Sequence, residues 1–361
     1  MNPERSVPLA PLSSLGVGGS AAYLVRVDTA GQLGELPGRI ARTGLPYYLL
    51  GGGTNTCFGD GELPLLVIKN ELRGVRFEAV RPGRERVIAA AGEDWDALVA
   101  ATASRGLSGF ENLSGIPGTV GAAPIQNINA YGASVADTVV SVDAVSLTTG
   151  APRTFSRAEC AFSYRDSIFK QPAGQDYLVT SVTFELAHDP HPNLTYRSSS
   201  QSVAQVLALK VGDRTPTVSD IRDAILTVRR NIGMVAGVFH SAGSFFMNTI
   251  VSADSFARIH ERVVAEFREQ HERLSPWYWE LPSGEVKIAT AFLMECAGYS
   301  KTQYAAHPPS QGVGLSPLHT LSIINYGGAT ATDVRAFADE IVGAVFTTFG
   351  VEIVREVQYV G

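Results

Sequence analysis

Residues 114–132 read SGIPGTVGAAPIQNINAYG, a run of small residues broken by Pro117 and Pro124 and closed by the amides of Gln126, Asn127 and Asn129. A backbone with so few Cβ obstructions can lie flat against a polar ligand. About sixty residues upstream, LLGGGTNTCFGD (49–60) runs an apolar strand into Gly51, Gly52 and Gly53, followed by Thr54 and Asn55. Exposed backbone N–H groups in such a turn suit a phosphate. The three glycines are consecutive, so this is not a G-x-G-x-x-G fingerprint, and no Gly-Lys-Ser/Thr follows to make a P-loop. Two phosphate-fitting loops at this separation point to a dinucleotide held between two subdomains.

Outward from these loops, AAYLVRV (21–27), the helical pattern TAGQLGELPGRIARTG (29–44), YYLL (47–50) and LPLLVIKN (63–70) predict a β-α-β unit. A strand in RVIAAAG (86–92) and a helix over about 94–104, with Trp95, Leu98 and Val99 on one face, come next. VVSVDAVSLTT (139–149), PRTFS (152–156) and YLVTSVTFEL (177–186) alternate as strands, and HDPHPNLTYRSSSQS (188–202) interrupts them as an exposed excursion. Helices are predicted over about 217–230 and 252–270, the second burying Phe256, Ile259, Val263 and Phe267. Thr330 or Thr332 caps a last helix whose Val334, Phe337, Ile341 and Val345 share a face; Gly350 stops it before a strand over 351–360. Boundaries fall near residues 73 and 230.

The chain has 361 residues, 29 Lys+Arg against 35 Asp+Glu for a formal charge of −6, and 45% hydrophobic residues. At roughly 100–200 residues per domain this length allows two or three domains with a cleft between them. Mild acidity without a basic concentration argues against a nucleic-acid partner. Cys57, Cys160 and Cys296 are too few and too scattered for a disulfide framework or a zinc cage, which favours a reducing, cytoplasmic setting, and the histidines show no metal spacing. No apolar stretch has the length of a signal core or of a membrane helix, so neither export nor membrane insertion is expected.

Four further places carry chemistry. FSYRDSIFK (162–170) frames Tyr164 and Arg165 with apolar residues, and an arginine there can fork onto a carboxylate or phosphate. SAGSFFMN (241–248) puts Ser244 in a glycine turn ahead of Phe245 and Phe246, without the G-x-S-x-G of a hydrolase. Glu356 shares a face of the expected terminal strand with Val354, Gln358 and Val360, and an apolar setting raises a carboxyl pKa toward that of a general acid. His319, in LSPLHTLSIIN, reads as a packing histidine.

GGGTN, SGIPGTVGAAPIQNINAYG, YRDS, AGSFFMN and REVQYVG occur in one order, with LHTLSIINYGGATATDV (318–334) between the last two. In this the chain resembles the UDP-N-acetylenolpyruvoylglucosamine reductase (MurB) family over nearly its whole length, and within it the longer subtype with a tyrosine loop. The resemblance implies an α+β, three-domain FAD-binding flavoprotein of the vanillyl-alcohol-oxidase type. Residues 1–73 and 74–229 would hold FAD, 230–350 would bind substrate, and the end of the chain, 351–361, would return to the site. It also implies an NADPH-dependent, cytoplasmic, monomeric enzyme of peptidoglycan synthesis that converts enolpyruvyl-UDP-N-acetylglucosamine to UDP-N-acetylmuramate, with hydride passing to C3 and a proton to C2. Carried over by position, Ser244 is the proton donor, Arg165 engages the substrate carboxylate and Glu356 assists. Tyr164, Tyr196 and Asn248 meet the substrate. Gly51, Gly52, Gly53, Thr54 and Asn55, with Ser114, Gly115, Ile116, Pro117, Gly118, Thr119, Gly121, Ala122, Gln126 and Asn127, wrap the FAD.

Three places depart from the family pattern. Ile232, twelve residues before Ser244, stands where a lysine usually meets substrate phosphate; Met247 and Thr249 replace a lysine and a proline; Cys296 replaces a polar residue. A hydrocarbon cannot substitute for a charge-assisted contact to phosphate, worth about 1.5–3 kcal/mol, and Arg229 or Arg230 is the nearest compensating charge. The departures keep a second reading open, a paralogue acting on another enol ether.

Overall fold

The computed structural model describes residues 3–188 and 203–361; the expected excursion beyond His188, with Tyr196, lies outside them. Glu4–Pro8, Ser20–Val27, Glu62–Asn70 and Tyr47–Leu50 form one sheet in that order, and Ser20–Val27 and Tyr47–Leu50 both run parallel to Glu62–Asn70. This is the expected β-α-β crossover, with one change. The connection begins as a 3-10 turn, Ala30–Glu35, and becomes α-helical only over Leu36–Thr43, where Pro37 sits in the first turn. Gly31 and Gly34 weaken the earlier part, and proline is at home where the first N–H groups have no helical partner.

The second sheet is antiparallel, in the order Pro152–Ser156, Val139–Ser146, Tyr177–Ala187, Arg84–Ala90 and Val75–Arg81. Helix Trp95–Ser104, capped by the Asp94 carboxylate accepting from Ala97 N, lays Trp95, Leu98 and Val99 into its core. Trp95 packs 4.9 Å from Phe110, which meets Phe184 edge-on at the same separation. Helix Val218–Asn231 is capped by Thr217 and tied across by Arg222, whose two terminal nitrogens reach the two Asp96 oxygens at 2.5 and 2.8 Å.

The remaining chain packs Ala253–Glu266, Thr290–Cys296 and Ala331–Phe349 around two three-stranded sheets and one core, where Trp277 stacks on Phe292 at 4.2 Å. The helix expected over 252–270 breaks at Phe267, which leaves helical geometry and packs on Phe349 before Arg268–Arg273 resumes. The terminal strand is shorter than expected. Only Gln358–Val360 is a strand, paired parallel to Thr56–Phe58 in the first part of the chain. Ile353 and Val357 sink into the core and the backbone bends at Val357, so the expected alternation fails: Val354 is exposed while Glu356 turns inward.

Asp60 fastens helix Ala331–Phe349 to the first sheet. Its oxygens accept from Ala331 N and from Thr332 N and Oγ1, while Thr330 Oγ1 accepts from Asp333 N, so the helix start is fully capped. Partial burial opposes ionisation of Asp60, but these donors outweigh it and hold the carboxyl below its usual range. Its stabilisation is therefore present above the unfolded pKa and is lost as pH falls through the depressed one. Asp60→Ala is expected to cost about 1 kcal/mol at neutral pH, lowering the melting temperature. The gap to the unsubstituted protein should close as the buffer is taken through the acid limb; a gap independent of pH would contradict this role. Among the described residues no helix is long and apolar enough to cross a membrane.

Candidate active site

The two glycine loops touch each other. The Gly51 Cα faces Thr119, whose Oγ1 would lie 2.7 Å from any Cβ at that position. Gly53 adopts φ +66°, and a Cβ on it would lie 1.8 Å from the carbonyl oxygen of Leu12, so no other residue fits without moving the loop. Thr54 Oγ1 donates to Pro117 O at 3.3 Å. Below them opens a cleft of about 470 Å³, lined by Thr54, Asn55, Ile116–Thr119, Ala122, Gln126 and the 233–244 segment. A recess of about 130 Å³ behind it adds Gly51–Gly53 and Gly121.

Three of the sequence-assigned cofactor residues, Ser114, Gly115 and Asn127, stand apart from the cleft. Ser114 is fully buried, its hydroxyl donating to Glu111 O, and Gly115 lies against Leu226 and Arg229 with its N–H on Asp96. Neither lines the cleft, and Gly115 packs the loop against the 218–231 helix. Asn127 is also a brace: its amide donates to Ser163 O and its oxygen accepts from Ser134 Oγ. It borders a second cavity, of about 770 Å³, rather than the cleft.

Arg165 and Ser244 lie on the lining of both spaces. Arg165 holds φ +56°, unusual for a non-glycine residue. Its turn is closed by paired backbone bonds between Ser163 and Asp166, and Lys170 Nζ donates to Arg165 O at 2.7 Å. Asp166 does not pair with it; Gln171 occupies that carboxylate. Instead Arg165 Nε lies 3.0 Å from Glu356 Oε1, a contact of charge without hydrogen-bond alignment, which leaves guanidinium donors for a ligand. Burial raises the Glu356 pKa, and the attraction of Arg165 opposes it.

Ser244 is held by its neighbours. Phe245 and Phe246 are buried anchors, Phe245 N donates to Leu321 O, and Glu356 N donates to Phe245 O. Asn55 Nδ2 donates to Glu356 O at 3.0 Å, so one glycine loop, the serine turn and the backbone of Glu356 form a single bonded unit. Asn248 and Tyr164 line the larger cavity, Asn248 accepting from Thr290 N.

Sequence reasoning missed Lys287. Its ammonium stands 4.2 Å over the Tyr164 ring in the larger cavity, where burial and then Arg165 lower its pKa. Nothing in its local sequence marks it, because a strand far along the chain brings it there. Of the departures, only Ile232 lines that cavity; Cys296 is packed in the core, and Met247 bonds through its backbone to Val354 and Thr290. Arg229 is buried between the two spaces, while Arg230 is exposed. His319 is not a satisfied packing residue: its Nδ1 is buried and has no hydrogen-bond partner among the described residues.

Residues 21–156 match the family described as FAD binding domain, and residues 234–360 match UDP-N-acetylenolpyruvoylglucosamine reductase, C-terminal domain. A UDP-N-acetylenolpyruvoylglucosamine reductase of Thermobifida fusca is 40% identical over 99% of this chain and 98% of its own length. One of Streptomyces coelicolor is 36% identical over 99% and 90%. The crystal structure of the reductase from Thermus caldophilus shares the fold, with a TM-score of 0.62 at 24% identity over all of both chains. The expected FAD-binding fold followed by a C-terminal domain of this family is thus the one the chain has.

Proposed function

The chain belongs to the UDP-N-acetylenolpyruvoylglucosamine reductase family, and from that premise we propose that it reduces enolpyruvyl-UDP-N-acetylglucosamine to UDP-N-acetylmuramate with FAD and NADPH, as a monomeric cytoplasmic enzyme of peptidoglycan synthesis. The observation that carries the reading is the position of Ser244 and Arg165 on the wall common to the cleft and the larger cavity, with Glu356 paired to Arg165 at the cleft. Residues 1–73 and 74–229 hold the cofactor in this reading, 230–350 the substrate, and 351–361 brings Glu356 back between them.

The residues present fit FAD. The cleft lining carries buried polar atoms that have no partner among the described residues, Ser14 Oγ and Gln126 Oε1, ready for polar groups of a ligand, beside the close-packed glycine loops. FAD, when bound, supplies the two-electron chemistry between NADPH and the substrate double bond. The chain's own work is charge and proton management. Addition at C3 leaves negative charge at C2 conjugated with the carboxylate; Arg165 faces that charge, and Ser244 delivers a proton to C2. Glu356, paired with Arg165, keeps the guanidinium oriented.

Gly53→Ala is expected to yield protein that loses FAD on desalting, read as flavin absorbance per protein; undiminished content would take the loop out of cofactor binding. The function itself is tested by incubating the protein with NADPH and the enolpyruvyl substrate in D2O. Product heavier by two hydrogens, one of them a solvent deuterium at C2, is the expected result. Unchanged substrate would reject it.

A further inference from the structure

Glu356 sits on a stretch with little regular structure of its own. Residues 351–357 form no strand, and their backbone meets the serine turn at one bridge: Met247 N donates to Val354 O, Glu356 N donates to Phe245 O, and Phe246 lies opposite Arg355. At that bridge the side chains diverge. Glu356 faces Arg165, while Arg355 turns to helix Ala331–Phe349 and donates through Nη2 to Asp339. One turn earlier on the same helix, Arg335 stands 5.8 Å over the ring of Tyr359. Positions four apart share a helix face. That face therefore grips the chain at 355 and again at 359, with Glu356 between the two grips.

The helix is itself well fixed, with Val334, Ala338, Ile341 and Val345 in the core and Asp60 on its first turn. Among the described residues the bond to Asp339 is the only side-chain hydrogen bond of Arg355, whose Nε is buried without a partner. Without Asp339 the guanidinium has no anchor. The pair adds little to stability, since its side chains are 30% and 52% exposed and water screens such contacts. Nor does it tune Glu356 by charge, because burial, Arg165 and Lys170 set that pKa. What the contact fixes is the place of the residue next to Glu356, and a small displacement of a reacting group costs rate steeply.

We propose that Asp339 is a positioning residue for the substrate half-reaction: through Arg355 it holds the bend at 353–357 so that the Glu356 carboxylate stays against Arg165. The proposal rests on the role given to Glu356 above. It assigns a function to a half-exposed aspartate that lines neither cavity.

The test follows the two half-reactions separately in the FAD-loaded protein. Asp339→Asn should slow oxidation of the reduced flavin by saturating enolpyruvyl-UDP-N-acetylglucosamine by roughly tenfold, and leave reduction by NADPH, flavin content and melting temperature unchanged. Asp339→Glu should recover the rate. In an Arg355→Met background the Asp339→Asn change should add nothing further, because both remove the same contact. Amide hydrogen exchange over 351–357, measured without substrate, should be faster in Asp339→Asn. An unchanged oxidation rate overturns the proposal, as do equal slowing of both half-reactions and additive losses in the double variant. An unsubstituted protein that this substrate never reoxidises, together with faster exchange in Asp339→Asn, would reject the reductase reading and uphold the anchor on Glu356.

Discussion

Replacing Ser244 with alanine is expected to slow oxidation of the reduced protein by substrate by roughly 10²–10⁴-fold, the usual contribution of a positioned proton donor, and to leave reduction by NADPH unchanged. Only the step that forms the C2–H bond needs the proton. The change is conservative structurally. Phe245 and Phe246 anchor the turn and the backbone bonds to Leu321 and Glu356 do not involve the hydroxyl, so the cleft should keep its shape and its FAD. Two half-reactions followed separately under anaerobic conditions check this. Equal slowing of both would mean that Ser244 positions the cofactor or the chain rather than donating the proton.

Arg165→Met is expected to lower kcat/KM by about 10²–10³-fold, as for removal of a single group that stabilises developing charge. It acts twice. The substrate carboxylate loses its cation, and Glu356 loses the neighbour that restrains the effect of burial on its pKa. That pKa must then rise further, so any limb of the pH–rate profile governed by Glu356 moves to higher pH in the variant. Lysine at this position should recover part of the rate by restoring charge, though it cannot reproduce the planar fork. A variant with an unchanged pH profile and a normal KM would show that the Arg165 to Glu356 pair lies outside the reacting centre.

Much of this arrangement is readable before folding. The ends of the last helix stand where capping chemistry predicts, Thr330 rather than Thr332 taking the start and Gly350 the stop, since a cap is a contact between residues a few positions apart. The glycine loops announce themselves because close backbone approach leaves a compositional trace; the packing of Gly51 on Thr119 and of Gly53 on Leu12 explains the trace. Glu356 was visible as a carboxylate in an apolar segment, but its orientation was not, because the bend at Val357 follows from burying Ile353 and Val357 in another part of the chain. Ser114 and Gly115 share the composition of the cofactor loop yet lie off the cleft, Ser114 on Glu111 O and Gly115 toward Asp96 and Arg229. Lys287 escaped altogether. It arrives at the cavity through the packing of distant elements, and no periodicity or local motif records that kind of neighbourhood.

The most direct measurement is an anaerobic titration: load the protein with FAD, bleach it with NADPH, and add enolpyruvyl-UDP-N-acetylglucosamine while following the flavin absorbance. Rapid, stoichiometric return of the oxidised band is the result expected if Ser244, Arg165 and Glu356 join the cofactor cleft to the substrate cavity as described. Flavin that stays bleached with substrate present and recovers only when air is admitted would contradict it.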